Sequence, residues 1–114
     1  MKNILYKITR DNQYNFITTD GKIISDQWFD WAGGFYNGFA RVELNGKENF
    51  LNPEGKLISD QWFDSVDIFE NGFAVVKLNG KWNLLTQDGE ILSDQWFDSL
   101  MLMENLLVTN GLMK

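Results

Sequence analysis

Apolar and polar residues alternate along Phe39-Ala40-Arg41-Val42-Glu43-Leu44, which places Ala40, Val42 and Leu44 on one face at the two-residue period of a β-strand. Asn45-Gly46 follows, a dipeptide that tolerates positive φ and so suits a two-residue type I′ hairpin loop. Lys47–Leu51 predicts the return strand. In the next turn, Asn52-Pro53-Glu54-Gly55, proline presets one turn position and glycine supplies a left-handed residue. Lys56-Leu57-Ile58-Ser59 predicts a third strand, completing a three-stranded antiparallel meander. From Asp60 to Glu70, Val66 and Ile68 alternate with Asp67, and an extended segment is expected to lead to the next meander as a short fourth edge strand.

The whole pattern recurs. Ser25-Asp26-Gln27-Trp28-Phe29-Asp30 returns unaltered as Ser59–Asp64 and Ser93–Asp98, at a period of 34 residues. Asn15-Phe16-Ile17, Asn49-Phe50-Leu51 and Asn83-Leu84-Leu85 keep the same phase, as do the Asp-Gly, Glu-Gly and Asp-Gly turns at Gly21, Gly55 and Gly89. Self-similarity at this period predicts an all-β repeat fold. Its units run roughly over 5–38, 39–72 and 73–106 of a single domain, with 107–114 a degenerate cap. Each second strand carries neighbouring apolar residues, so both of its faces need cover. The next unit is the simplest cover, stacked as a solenoid or as a propeller-like array.

Composition narrows the function classes. A formal charge of −6 with scattered Lys and Arg argues against a phosphate-binding surface, so nucleic acid is not an expected partner. The chain has no Cys and no His, which removes thiolate chemistry, the commonest metal ligand and the commonest general base. No apolar run approaches the roughly 20 residues that span a bilayer. Met1–Tyr6 lacks a signal-peptide core. The expectation is a cytoplasmic protein without membrane contact.

The paired acids Asp26/Asp30, Asp60/Asp64 and Asp94/Asp98 are candidates for acid–base work or for Ca²⁺. A catalytic pair needs two carboxyls in unlike environments. Here one pair is written three times in nearly one context, which suits a structural role such as accepting turn amides or an indole N–H. Trp28, Phe29, Trp62, Phe63, Trp96 and Phe97 are likewise expected to fill the core between units. Ser25, Ser59 and Ser93 have no His to activate them, and no glycine turn matches a phosphate-binding motif.

The copies differ just after the hexapeptide, along Trp31–Tyr36, Ser65–Glu70 and Ser99–Glu104, and again at Tyr14, Glu48 and Trp82. A repeat scaffold shows this pattern when one face is free to adapt to a partner, and drift in an unconstrained loop produces the same pattern. The first reading points to Trp31, Tyr36, Asp67, Ile68, Glu70, Trp82, Met101 and Leu102 as the binding residues.

Asn79-Gly80-Lys81-Trp82-Asn83-Leu84, set between a Gly-Phe-Ala strand and an Asp-Gly turn, resembles the WG-repeat (KWG-like) proteins of bacteria and their phages. Asn83 stands where the family's name-giving glycine would be. Gln13-Tyr14-Asn15 and Lys47-Glu48-Asn49 depart from the signature further. The resemblance spans essentially the whole chain and implies an all-β repeat array with no particular activity. The function expected is a non-enzymatic binding module, without cofactor or metal, for an unidentified protein partner or for homo-oligomer assembly. The alternative is a binder or sequesterer of nucleotides or glycans, possible for a phage-encoded chain; a carboxylate-based hydrolase ranks last.

Overall fold

A computed structural model describes residues 4–103. Eight strands follow in chain order: β1 (Leu5–Arg10), β2 (Gln13–Thr18), β3 (Trp31–Tyr36), β4 (Phe39–Leu44), β5 (Lys47–Leu51), β6 (Ser65–Val66), β7 (Phe73–Leu78) and β8 (Lys81–Thr86). They form three antiparallel sheets, ordered β1-β2, β3-β4-β5 and β6-β7-β8. Among the described residues there is no helix, and so none long and apolar enough to cross a membrane. Glu104 and the expected cap at 107–114 lie outside the described residues.

The hairpin loops follow from their dipeptides. Asn45-Gly46 has φ of 54° and 79°, and Asn79-Gly80 has 53° and 81°, positive at both central positions as a type I′ loop requires. Asp11-Asn12 adopts the same conformation, at 53° and 66°, without glycine. Asn37-Gly38 and Asn71-Gly72 are built alike, at 53° and 92° and at 55° and 89°.

These last two turns correct the expected meander. Lys56–Ser59 is not a third strand; it holds β5 by the single bridge Leu51↔Leu57. The strand that completes the sheet comes from after the hexapeptide. β3 pairs with β4 across Asn37-Gly38, with Ala32 opposite Val42 and a bulge before Phe35 opposite Ala40. β6 pairs likewise with β7, Val66 opposite Val76, and contact resumes at the Glu70↔Phe73 bridge. The segment expected at the edge of one meander is therefore the first strand of the following sheet. Two-residue Asn-Gly loops are a tighter connection than the Asn-Pro-Glu-Gly turn, whose return strand is interrupted by a buried side chain.

That side chain is an asparagine. Asn15 and Asn49 are fully buried and Asn83 nearly so. Asn49 Nδ2 donates to Ser59 O at 2.9 Å and Gln61 O at 3.3 Å, while its Oδ1 accepts the Phe50 N–H at 2.7 Å. Asn15 repeats this with Ser25, Gln27 and Phe16, and Asn83 with Ser93, Gln95 and Leu84. The carboxamide replaces a rung of the ladder, and the hexapeptide arches over it before rejoining at Glu48↔Phe63. Within the arch Ser59 Oγ accepts the Gln61 N–H at 3.0 Å.

Two hydrophobic cores lie between successive sheets. Phe16, Ala40, Val42 and Leu51 close around Phe29 and Ala32 in the first. Phe50, Ala74, Val76 and Leu85 close around Phe63, Val66 and Phe69 in the second. Adjacent Phe50 and Leu51 thus serve different cores, because successive strand residues point to opposite faces. Each buried ring contributes about 2–3 kcal/mol of apolar burial.

The phenylalanine of the hexapeptide, not its tryptophan, is the deep core residue. Phe29 and Phe63 are 0% exposed, whereas Trp28, Trp62 and Trp96 are half-buried, Trp62 and Trp96 at the core margins. Trp28 lies under the Arg10 guanidinium at 4.6 Å. Phe97 is 41% exposed, because no sheet packs over it among the described residues.

Backbone meets backbone at the same junctions. A Cβ on Gly55 would stand 1.7 Å from Ile24 O, and one on Gly89 would stand 1.6 Å from Ile58 O. The equivalent Gly21 has nothing within 4 Å. Polar ties complete the contact: Lys7 Nζ reaches Ala32 O at 2.9 Å, and Asn37 Nδ2 reaches Phe69 O at 2.7 Å.

Candidate functional site

β3, β6 and the segment after β6 carry residues that differ between copies. β3 lies along β4, and the segment after β6 passes beside both. Between them is a cleft of about 210 Å³ lined by Trp31, Tyr36, Phe39, Arg41 and Ile68, with Gly33 and Gly34 as its floor. The Arg41 guanidinium sits over the Trp31 ring at 5.4 Å, a cation–π contact at a half-open site. Arg41 also donates to Val66 O of β6 at 3.4 Å. A side chain at Gly33 would press on the Trp31 ring at 3.1 Å, which is why glycine suits the floor.

A second cleft, of about 260 Å³, has Asp67, Ile68, Glu70, Phe73, Met101 and Leu102 among its lining residues. It occupies the same repeat positions one period later: Asp67 replaces Gly33, Ile68 replaces Gly34, Glu70 replaces Tyr36, and Leu102 replaces Ile68. One architecture thus carries two chemistries. The first cleft is aromatic and cationic, the second aliphatic with a carboxylate rim. Ile68 borders both. Leu102 is 70% exposed, a large apolar side chain open to solvent.

Seven of the eight residues expected to bind therefore gather in these two clefts. Trp82 does not. It is half-buried in β8, pairs with Phe97 and carries Lys77 at 5.3 Å. A broader polar hollow of about 430 Å³ lies between the Asn37-Gly38 and Asn71-Gly72 turns, bordered by Glu70 and Gln87.

The repeated acids are occupied by structure. Asp30 Oδ2 accepts the Asn45 N–H at 2.9 Å and its Oδ1 accepts Gln13 Nε2 at 3.2 Å. Asp64 holds the Asn79 N–H at 2.7 Å and Lys47 Nζ at 2.5 Å. Each carboxylate thus pins the turn of the following hairpin. The Asn45 amide, with Gln13, holds the Asp30 carboxyl below the ordinary value of 3.8. Lys47, with the Asn79 amide, does so for Asp64, and Lys81 does so for Asp98. Asp26, Asp60 and Asp94 point to solvent, and no cluster of three metal-ligating side chains occurs among the described residues.

The residue that sequence reasoning passed over is the buried asparagine. Its signal was present in the threefold Asn15, Asn49 and Asn83, but an asparagine inside a strand reads as a weak strand former unless its acceptors are known.

Antiparallel sheets joined by recurring turns, with equivalent clefts one period apart, define an all-β repeat protein. The sequence matches the WG containing repeat over residues 16–47 and 50–82, more than half of the chain. The chain belongs to the WG-repeat family. No curated protein and no solved structure matches it.

Proposed function

We propose that the chain is a non-enzymatic WG-repeat module of three tandem 34-residue units, stacked as an open solenoid, that binds another protein or a second copy of itself. The observation that carries this reading is the gathering of the unlike residues into two equivalent clefts on a scaffold whose framework positions repeat. At about 210 and 260 Å³, each cleft lies below the usual range of small-molecule pockets, about 300–1,000 Å³, and fits one or two protruding side chains of a partner. An envelope of 54 × 37 × 18 Å agrees with a linear stack rather than a closed ring. The occupied oxygens of Asp30 and Asp64 favour a scaffolding role over catalysis.

The test uses Ile68→Lys and Leu102→Lys. A partner recovered by affinity capture is purified and titrated against the native chain and both variants. The expected result is at least a tenfold loss of affinity in each variant, on the scale of an interface anchor. Unchanged dissociation constants in both would remove the clefts from the interface.

One observation favours a second reading. The stacked Arg41 and Trp31 beside Tyr36 match an anionic ligand with an aromatic ring, such as a nucleotide. A ligand bound only by the folded chain raises its melting temperature with concentration. A thermal-shift screen of nucleotides and glycans separates the readings, since a rise abolished by Arg41→Ala belongs to this one alone.

A further inference from the structure

The two ends of the described structure expose the two halves of one junction. Inside the chain, Ala40 and Ala74 are 0% and 1% exposed, and Val42 and Val76 0%. The same positions at the start are Tyr6, which is 61% exposed, and Ile8, which is only half-buried. Phe29 and Phe63 are 0% exposed, but their equivalent at the other end is the exposed Phe97. Leu100, half-buried, stands where Ala32 and Val66 are buried.

The sheets show the same complementarity. β1 pairs only with β2 among the described residues, whereas β4 and β7 each carry a further strand on the corresponding edge. Ser99–Met103 is in phase with those further strands but belongs to no ladder among the described residues. An open strand edge is a template for pairing with another chain.

We propose that a second copy of this chain supplies the missing half. Ser99–Met103 of one copy adds as an antiparallel first strand along β1 of the next, head to tail. This rests on the reading of the chain as a binding module and names its partner. The register follows from the two internal examples. Trp31 faces Glu43 and Ala32 faces Val42; Ser65 faces Lys77 and Val66 faces Val76. Ser99 then faces Thr9 of the second copy, and Leu100 faces its Ile8. The contact thereby continues the junction that already joins successive sheets within the chain.

Two details match at the ends. The first is volume. Within the chain a phenylalanine, Phe16 or Phe50, shares its core with an alanine, Ala40 or Ala74. At the ends the alanine position is Tyr6, and the phenylalanine position is Leu84, so one side grows where the other shrinks. The second is the carboxylate. Asp30 and Asp64 each hold the first amide of a type I′ turn, whereas the Asp98 side chain is 88% exposed and accepts from Lys81. Asp11 of the second copy offers its N–H from the same conformation, with φ of 53° against 54° and 53° at Asn45 and Asn79.

A head-to-tail contact uses different surfaces on its two sides, and this makes it separable. Tyr6→Arg blocks one side and Leu100→Arg the other; near-ultraviolet circular dichroism verifies that each stays folded. By analytical ultracentrifugation the native chain is expected to grow with concentration, while each variant alone stays monomeric. Mixing the two variants restores one intact junction and yields dimers that grow no further.

A second measurement uses the absence of cysteine. Thr9→Cys mixed with Ser99→Cys is expected to oxidise to a cross-linked dimer, because directly opposed strand residues lie within disulfide reach. Thr9→Cys mixed with Asp94→Cys is expected not to. A monomeric native chain, a mixture that fails to dimerise, variants that still associate alone, or equal cross-linking of both cysteine pairs would each overturn the proposal. A monomeric native chain is also the result expected if residues 104–114 cover this face instead. Ile68 is not one of the pairing residues, although it borders the second cleft beside Met101 and Leu102. Failure here with Ile68-dependent partner binding intact would leave the proposed function standing, and the reverse outcome would leave only the self-association.

Discussion

Removing the Asn49 carboxamide should be among the most damaging single changes available to this chain. Asn49→Ala deletes two donated bonds and one accepted bond. Ser59 O is left buried without its donor, and a buried orphan of this kind costs about 1–3 kcal/mol. Gln61 is exposed, so water recovers part of its loss and about 1 kcal/mol is assigned there. The Phe50 N–H adds about 1 kcal/mol more, for a sum of about 4 kcal/mol. Against a total stability of about 5–15 kcal/mol this is a large fraction. A melting temperature about 15–20 °C lower is expected. Urea denaturation checks it: the midpoint should fall with the slope unchanged, because the surface exposed on unfolding stays the same. Asn49→Asp sharpens the case. A buried carboxylate facing two carbonyl oxygens has its folded-state pKa raised, so that variant should lose stability as pH rises above the ordinary Asp value. A loss in Asn49→Ala below about 1 kcal/mol would refute the role given to this side chain.

Gly55→Ala and Gly21→Ala share a motif and a positive φ, near 90° in both, but differ in what lies beside them. Gly21→Ala should cost only the left-handed strain of about 1–2 kcal/mol, whereas Gly55→Ala must also push Ile24 O away and should cost clearly more in the same urea assay. The lowered carboxyls of Asp30 and Asp64 predict a pH dependence of the opposite sign to Asn49→Asp. Their contribution is complete above 3.8 and is lost as pH falls through the lowered folded values. Stability followed from neutral pH to below 3.8 should decline, and Asp64→Asn should flatten that decline; an unchanged slope would contradict the pairing.

Asn45-Gly46, Asn79-Gly80 and the adjacent pair Phe50 and Leu51 could be read directly from the chain. Each is local: a dipeptide with positive φ needs no distant partner, and two neighbouring apolar strand residues must face opposite sides. The same holds for the segments that carry the unlike residues, since comparing the copies requires no coordinates. The role of Asn49 was not legible, because its acceptors sit 10 and 12 residues away on a segment whose path depends on it. Nor was the sheet to which the short strand after the hexapeptide belongs, since Ser65–Val66 is placed by its pairing with β7.

The sequence by itself therefore determined the repeat, its turns, the all-β class and the positions at which the copies diverge, because these depend on residues near one another in the chain. Tertiary structure decided which strands share a sheet, that phenylalanine rather than tryptophan fills each core, and that Gly33 and Asp67, or Tyr36 and Glu70, occupy equivalent walls of two different clefts. Those outcomes depend on which faces meet across successive sheets. The identical hexapeptides differ most at their ends for the same reason: Phe63 lies between two sheets, and Phe97 has a sheet on one side only among the described residues.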